Sequence, residues 1–358
     1  MPITQRSKPT GHEHGHVHPV ATGEANPVLV EVTRGGMVES RHRAAVAVVD
    51  AAGHVVLSAG EVEQVVYGRS AIKPLQTLAL IETGAAEAFG CNDAEIALAS
   101  ASHAGEPVHV ATVEAWLERI GCGVEDLECG AHLPYDEASA EAMIRAGKTP
   151  TAAYNNCSGK HTGFLTLAKH LGVPTKGYIR FDHPVQQSLL GILEMMTGLD
   201  LRDAPRGIDG CGIPQIGIPL GNIALAMARL ADPADQPERR QAAAKRVLSA
   251  MAAEPVMVAG SKKFCTKVIA ATQGHAIVKT GAEGVFCASL PDSGLGIALK
   301  VDDGATRASE VVMGHVLTRL EAIDAAASEA LAEVLVPTVR NRVGLAVGEV
   351  RPAAGGPL

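Results

Sequence analysis

The stretch "GRSAIKP" at 68–74 sets a serine three residues ahead of a lysine, a pairing that can make a nucleophile. Pro74 has no N–H and belongs in or near the first turn of a helix, so Ser70 falls at or just before a helix start. The three-residue offset puts the Ser70 hydroxyl and the Lys73 amine on one side of that turn. A neutral lysine takes a serine proton where burial or nearby charge lowers its pKa, and a helix start favours developing negative charge. The same spacing also suits an N-cap serine followed by a surface lysine.

Two further stretches extend the pattern. "ASASHAGEP" at 99–107 brings Ser100, Ser102, His103, Gly105 and Glu106 into a loop after an apolar run. "IVKTGAEG" at 277–284 ends a strand with Lys279-Thr280-Gly281. A Ser-x-x-Lys, then a serine loop, then Lys-Thr-Gly is the order used by serine β-lactamases and penicillin-binding proteins. Their middle motif reads Ser-Asp-Asn, whereas this chain has Ser102-His103-Ala104. The order points to a common fold; the altered middle motif argues against a β-lactam substrate.

Cysteines mark two more loops. "AYNNCSGKHTGFL" carries Cys157, Lys160 and His161 into a helix start, and "GIDGCGIPQ" carries Asp209 and Cys211. Two thiolates on separate loops can share a soft metal such as zinc, with Asp209 behind them. Buried free thiols are the alternative, because the spacing matches no standard zinc finger and lysine ligates only when neutral. Cys265, in "GSKKFCTKV", reads as a buried cysteine at a helix start.

The elements that must position these residues follow from periodicity. "VLVEVTRG", "HRAAVAVVD" and "HVVLSAG" alternate as strands, with a hairpin turn at Asp50–Gly53. From Ser70 to about residue 260 the apolar spacing is mostly helical. "HAIVKTG", "GVFCASLP" and "GLGIALKVDDG" return to strand; the helix "RASEVVMGHVLTRLEAI" and a last strand within "NRVGLAVGEVRP" follow. This is an α/β (α+β) pattern. One antiparallel sheet draws on both chain ends (27–68 and 270–358), with a helical insertion (69–269) and the active site at the seam.

Composition narrows the function. The chain has 358 residues, 47% hydrophobic and 3% aromatic, so its core is built mainly from Ala, Val, Leu and Ile. A net charge of −8 without a basic stripe argues against nucleic acid and acidic membrane surfaces as partners. No apolar run reaches spanning length, and no secretory signal pattern opens the chain. Seven scattered cysteines suit free thiols in a reducing cytoplasm. Residues 1–26, with His12, His14, His16 and His18 alternating, read as a disordered tail able to bind a stray metal ion.

The motifs "GRSAIKP", "SASHAGEPVHV", "NNCSGKHTGFL", "DHPVQ", "DGCGIPQ", "KFCT" and "VKTGAEGVF" together resemble the rhizobial-type L-asparaginases, over nearly all of residues 27–350. The resemblance implies hydrolysis of L-asparagine to L-aspartate and ammonia, a serine β-lactamase-like fold, a homodimer, and a zinc ion beside the active site. By the same resemblance Ser70 with Lys73 and Ser102 with Lys279 form two serine–lysine pairs. Cys157, Lys160 and Cys211 take the zinc-ligand positions. Arg69, His161, Asp209 and Cys265 line or support the substrate site, and Arg69 suits a substrate carboxylate. Two other readings stand beside it: a related serine hydrolase of glutaminase or β-lactamase type, and a metal-binding or storage protein using the histidine-rich tail and the cysteines.

Overall fold

The first strands lie where the alternation puts them: β1 (Val28–Arg34), β2 (Met37–Val49) and β3 (Val55–Ala59). Between the last two, the Asp50 carboxylate accepts the N–H groups of Ala52 and His54 at 2.9 Å each, and Gly53 takes a φ of +91° that favours glycine. The remaining strands are β4 (Val65–Tyr67), β5 (Arg206–Ile208), β6 (Pro214–Pro219), β7 (Ile277–Thr280), β8 (Val285–Leu290), β9 (Leu295–Val301), β10 (Thr338–Arg340) and β11 (Ala346–Pro352). This is a computed structural model that describes residues 25–358; the alternating histidines His12 to His18 lie outside the described residues.

One antiparallel sheet runs in the order β10-β11-β1-β2-β9-β8-β7, with β3 also on β2. The two chain ends interleave: Val32 of β1 faces Val350 of β11, and Val46 of β2 faces Leu299 of β9. The sheet built from both termini is therefore present. β7 is its edge, which leaves the Lys279 end of that strand open to the helices.

The helices are α1 (Lys73–Glu82), α2 (Ala85–Ala88), α3 (Asp93–Ala99), α4 (Pro107–Arg119), α5 (Glu137–Arg145), α6 (Ser158–Leu171), α7 (Pro184–Thr197), α8 (Leu220–Ala231), α9 (Glu238–Ala253), α10 (Pro255–Ala259), α11 (Phe264–Ala271), α12 (Thr306–Arg319) and α13 (Ala325–Leu335). α8 and α12 both pack on the central strands. Ala44–Val49 of β2 are buried without a break for that reason, rather than alternating. With few aromatic side chains, close approach does the packing. A Cβ added at Gly159 of α6 would lie 2.5 Å from the Leu98 carbonyl oxygen of α3. No helix among the described residues is long and apolar enough to cross a membrane.

The structure departs from the sequence reading in four places. Asn26, assigned to the tail, is buried: its side chain accepts the Glu61 N–H and donates to Asp302, both at 2.7 Å. The helical spacing after Ser70 is interrupted early: Gly84, at φ +84°, separates α1 from α2. The insertion holds β5 and β6, which join β4 in a second, three-stranded sheet ordered β4-β6-β5. Such short, Gly- and Pro-containing strands carry too little alternation to read. α13 and β10 intervene before the last strand.

Gly296 of β9 tests the close packing of α8 on the sheet. An added Cβ would meet Ala228 N at 2.1 Å and Ala224 O at 2.2 Å, both backbone atoms. Gly296→Ala is therefore expected to destabilise the fold by about 1–3 kcal/mol or more, from overpacking. Urea or thermal unfolding reads it, and an unchanged midpoint would contradict the close approach.

Candidate active site

A 3-10 turn, Arg69–Ile72, feeds directly into α1, with Lys73 at N1 and Pro74 at N2. Arg69 has a left-handed backbone at φ +47°, a conformation that costs a non-glycine residue ~1–3 kcal/mol. Two partners hold it there. Its N–H donates to Gln215 Oε1 at 3.2 Å, and its guanidinium lies 2.9 Å from Asp209 Oδ1.

Lys73 is not the surface lysine that the spacing allowed; it is 1% exposed. Its amine donates to the Ala101 carbonyl at 2.5 Å and lies 3.0 Å from Ser102 Oγ and 3.1 Å from Cys157 Sγ. Lys279, also 1% exposed, reaches the same Ser102 Oγ at 3.1 Å and the Thr280 carbonyl at 2.7 Å. One serine hydroxyl thus sits between two buried amines.

Ser70 stands at the same turn, half-buried, and its hydroxyl has no hydrogen-bond partner among the described residues. The expected direct Ser70–Lys73 contact is absent. The offset is right, but the lysine side chain runs back into the protein to the Ser102 corner. The turn's amides are also partly engaged, since Ala71 N–H donates to Gly68 O at 3.1 Å. The β7 edge presses on this turn: a Cβ added at Gly281 would lie 3.0 Å from Ala71 N. Cys265, 1% exposed, supports the strand end by accepting the Thr280 N–H at 3.4 Å. It holds up the site rather than lining it.

The cysteine loops meet behind Lys73. Lys160 Nζ lies 3.1 Å from Cys211 Sγ, and Asp209 Oδ2 is 3.5 Å from the same sulfur. Asn155 braces the Cys157 loop, accepting the Cys157 N–H at 2.8 Å and donating to the Cys129 carbonyl at 2.8 Å. His161 is fully buried; its Nδ1 is 2.7 Å from the Tyr178 hydroxyl and its Nε2 has no partner. It supports the site from behind. All seven cysteines are free thiols.

Electrostatics follow from burial. Desolvation lowers the Lys73 pKa and brings that of Lys279 down to about 7, with Lys73 the next cause. The Cys211 hydrogen bond, with Lys73 and Lys160 beside it, drives the Cys157 thiol well below its usual value; Cys157 in turn pushes Cys211 up. Burial opposes the charge on Lys160, but Cys211 and Cys157 outweigh it and raise its pKa. Among the described residues no group of three or more His, Cys, Asp or Glu is placed to hold a metal ion. The convergent donors are two thiols and an amine, a soft set that suits a tetrahedral ion of the zinc type.

Tyr178, Gln215 and Asn155 were not singled out from the sequence. Gln215 and Asn155 fall inside quoted motifs. Tyr178 carries no local signal, because its role depends on meeting His161 and the Glu128 N–H in space.

The family model described as L-asparaginase II matches residues 30–352, and it is the rhizobial-type group the motifs resemble. No curated protein matches the chain. Among solved structures the chain is similar to a β-lactamase from Mycobacterium bovis, at 16% identity over 82% of this chain and 95% of that one, with a TM-score of 0.38. It is also similar to the D-alanine carboxypeptidase AmpC from Burkholderia cenocepacia, at 12% identity over 81% and 93%, TM-score 0.38. Simvastatin synthase from Aspergillus terreus gives 10% identity over 72% and 86%, TM-score 0.37. At these scores they stand as likenesses alone.

The buried Lys279 amine should leave a mark on stability. Its folded pKa of about 7 lies below the unfolded value of 10.5, so folding releases its proton between those limits. The penalty for burying it is full below pH 7 and fades as pH rises towards 10.5. Lys279→Met is expected to melt above the wild type at about pH 6, with the gap closing by about pH 10. Melting curves across pH read this, and a pH-independent gap would contradict it.

Proposed function

The chain belongs to the L-asparaginase II family, and from that premise we propose that it hydrolyses L-asparagine to L-aspartate and ammonia through an acyl-enzyme on serine. The observation that carries this reading is the run Lys73–Ser102–Lys279, two buried amines joined through a half-buried hydroxyl by contacts of 3.0 and 3.1 Å, beside an unpartnered Ser70 hydroxyl. Ser70 Oγ attacks the side-chain amide carbon, and its proton passes to Lys73. Lys73 gives a proton through Ser102 to Lys279, the amine whose pKa burial brings down to about 7, so that a good part of it is free to accept. The C–N bond breaks, the proton returns to the leaving nitrogen, and ammonia departs. Water then attacks the ester by the same route in reverse, freeing aspartate and Ser70.

Two contacts already occupy the Ser102 oxygen, which suits a relay. Ser70 is free to move onto the amine as substrate enters. The Arg69–Asp209 pair suits an amino-acid zwitterion: the guanidinium has donors left for the α-carboxylate, and Asp209 offers an acceptor to the α-ammonium. The Ser102 contacts also favour a second reading, in which Ser102 is the nucleophile. Zinc would be held by Cys157, Lys160 and Cys211, where it would act as a Lewis acid and carry the thiolate charge. A cytoplasmic homodimer completes the reading, supported by the seven free thiols for the compartment and by the family resemblance for the dimer.

Ser70→Ala, which removes the attacking hydroxyl, and Lys73→Ala, which removes its proton acceptor, are each expected to lower asparagine turnover by on the order of 10³-fold or more, and Lys73→Arg by as much, because guanidinium does not deprotonate. Ammonia release from asparagine and glutamine, set against the colour change of a chromogenic β-lactam, ranks the substrates; preference for either alternative would displace asparagine. Mass spectrometry of a trapped slow substrate is expected to map the ester to Ser70. An ester on Ser102 that persists in Ser70→Ala selects the second reading.

Metal content is a separate test. Elemental analysis of protein lacking residues 1–24 should find about one zinc per chain, as for a single site of this donor type. The content should fall in Cys157→Ser with Cys211→Ser. Metal-free protein with full activity would remove zinc from the reading.

A further inference from the structure

The corner that carries Ser102 is gripped by two histidines that the reaction does not use. Four of its amides are engaged: Ser102 N–H donates to Val258 O at 3.1 Å and His103 N–H to Asn156 O at 3.1 Å. Gly105 N–H donates to His103 Nδ1 at 3.2 Å and Glu106 N–H to His109 Nδ1 at 3.1 Å. On its far side, His103 Nε2 lies 2.8 Å from Ser158 Oγ, which itself donates to the Ala153 carbonyl at 2.8 Å.

Hydrogen-bond accounting assigns the tautomer. His103 Nδ1 faces an N–H and must accept, so Nε2 carries the hydrogen and donates to Ser158. The Ser158 hydrogen is already given to Ala153, which makes its oxygen the acceptor. Every donor is then used once. Ser158 is the first residue of α6, directly after Cys157. His109 stacks on His103 with ring centres 4.9 Å apart and planes 19° apart, and its Nε2 donates to the Val256 carbonyl at 2.9 Å. His103 is fully buried. Burial, then His109, Lys73 and His132, hold it neutral well below its usual pKa.

We propose that His103 is a positioning residue: as a neutral Nε2–H imidazole it ties the Ser102 corner to the first turn of α6, and so keeps the Ser102 hydroxyl between the Lys73 and Lys279 amines. Only the kinetic arm of the test rests on the amidohydrolase reading above. Side-chain mimics separate the two ring nitrogens. His103→Gln keeps a donor near the Nε2 position, whereas His103→Asn keeps only an acceptor near Nδ1.

His103→Asn and Ser158→Ala are each expected to lower kcat by on the order of 100-fold, the usual cost of a misplacement of about 1 Å, with KM changed little. His103→Gln should stay within about tenfold of wild type, and the Asn/Ala double variant should lose no more than either single one. Labelling of the intact protein by a fluorophosphonate should fall in the same order, whatever the natural substrate. Imidazole ¹⁵N NMR of the wild type should show His103 protonated at Nε2 alone at neutral pH. Equal kcat in the Gln and Asn variants, additive losses in the double variant, or an Nδ1–H or doubly protonated His103 would each overturn the proposal. Labelling in the expected order without turnover of any amide would retain it and discard the amidohydrolase reading.

Discussion

Two lysine amines are buried against one serine hydroxyl, and the surrounding structure is arranged around that fact. Both amines touch Ser102 Oγ, so they lie no more than about 6 Å apart. Two full charges at that separation repel by ~3 kcal/mol at an effective dielectric near 20, and each also loses its hydration. The site cannot comfortably hold both protons. The carbonyls of Ala101 and Thr280 and the Cys157 sulfur lie against these amines as acceptors.

The fold supplies this arrangement from four unconnected places. The 3-10 turn into α1 brings Lys73, the corner after α3 brings Ser102, the edge strand β7 brings Lys279, and the first turn of α6 brings Cys157 and Lys160. Close approaches lock them: Gly281 against Ala71, and Gly159 against Leu98, where a single added methyl would collide with backbone. The cysteine pair does electrostatic work whether or not a metal sits on it. The two sulfurs lie against the Lys73 and Lys160 amines and, together with Asp209, oppose the cost of burying them. Arg69 stores backbone strain beside this network, held by Gln215 and Asp209.

Much of this was legible from residue types and order. The Ser-x-x-Lys pair, the serine loop, the Lys-Thr-Gly strand end and the two cysteine loops are all local patterns, and the sheet from both chain ends follows from where alternation occurs. These features read well because turn chemistry, helix starts and alternation depend on residues only a few positions apart. The local patterns also brought Ser70, Ser102, Lys73, Lys279 and Asp209 into one list before any contact was known, and the family resemblance added Arg69.

What the chain alone did not determine is which atoms face which. The three-residue offset put Lys73 beside Ser70; tertiary packing turned its amine to Ser102, because buried ammonium seeks the acceptors that the Ala101 corner offers. Asn26 looked like tail, yet it bonds to Asp302, 276 residues away. The short strands β5 and β6 exist because they pair with β4, and their own composition gives no sign of it. Tyr178 and His103 gain their meaning only from His161 and Ser158, brought close by helix packing. Residue type and spacing determined the inventory of chemistry. The partner of each buried polar atom was decided in three dimensions, since the cost of leaving such an atom unpaired is settled by whatever long-range packing places beside it.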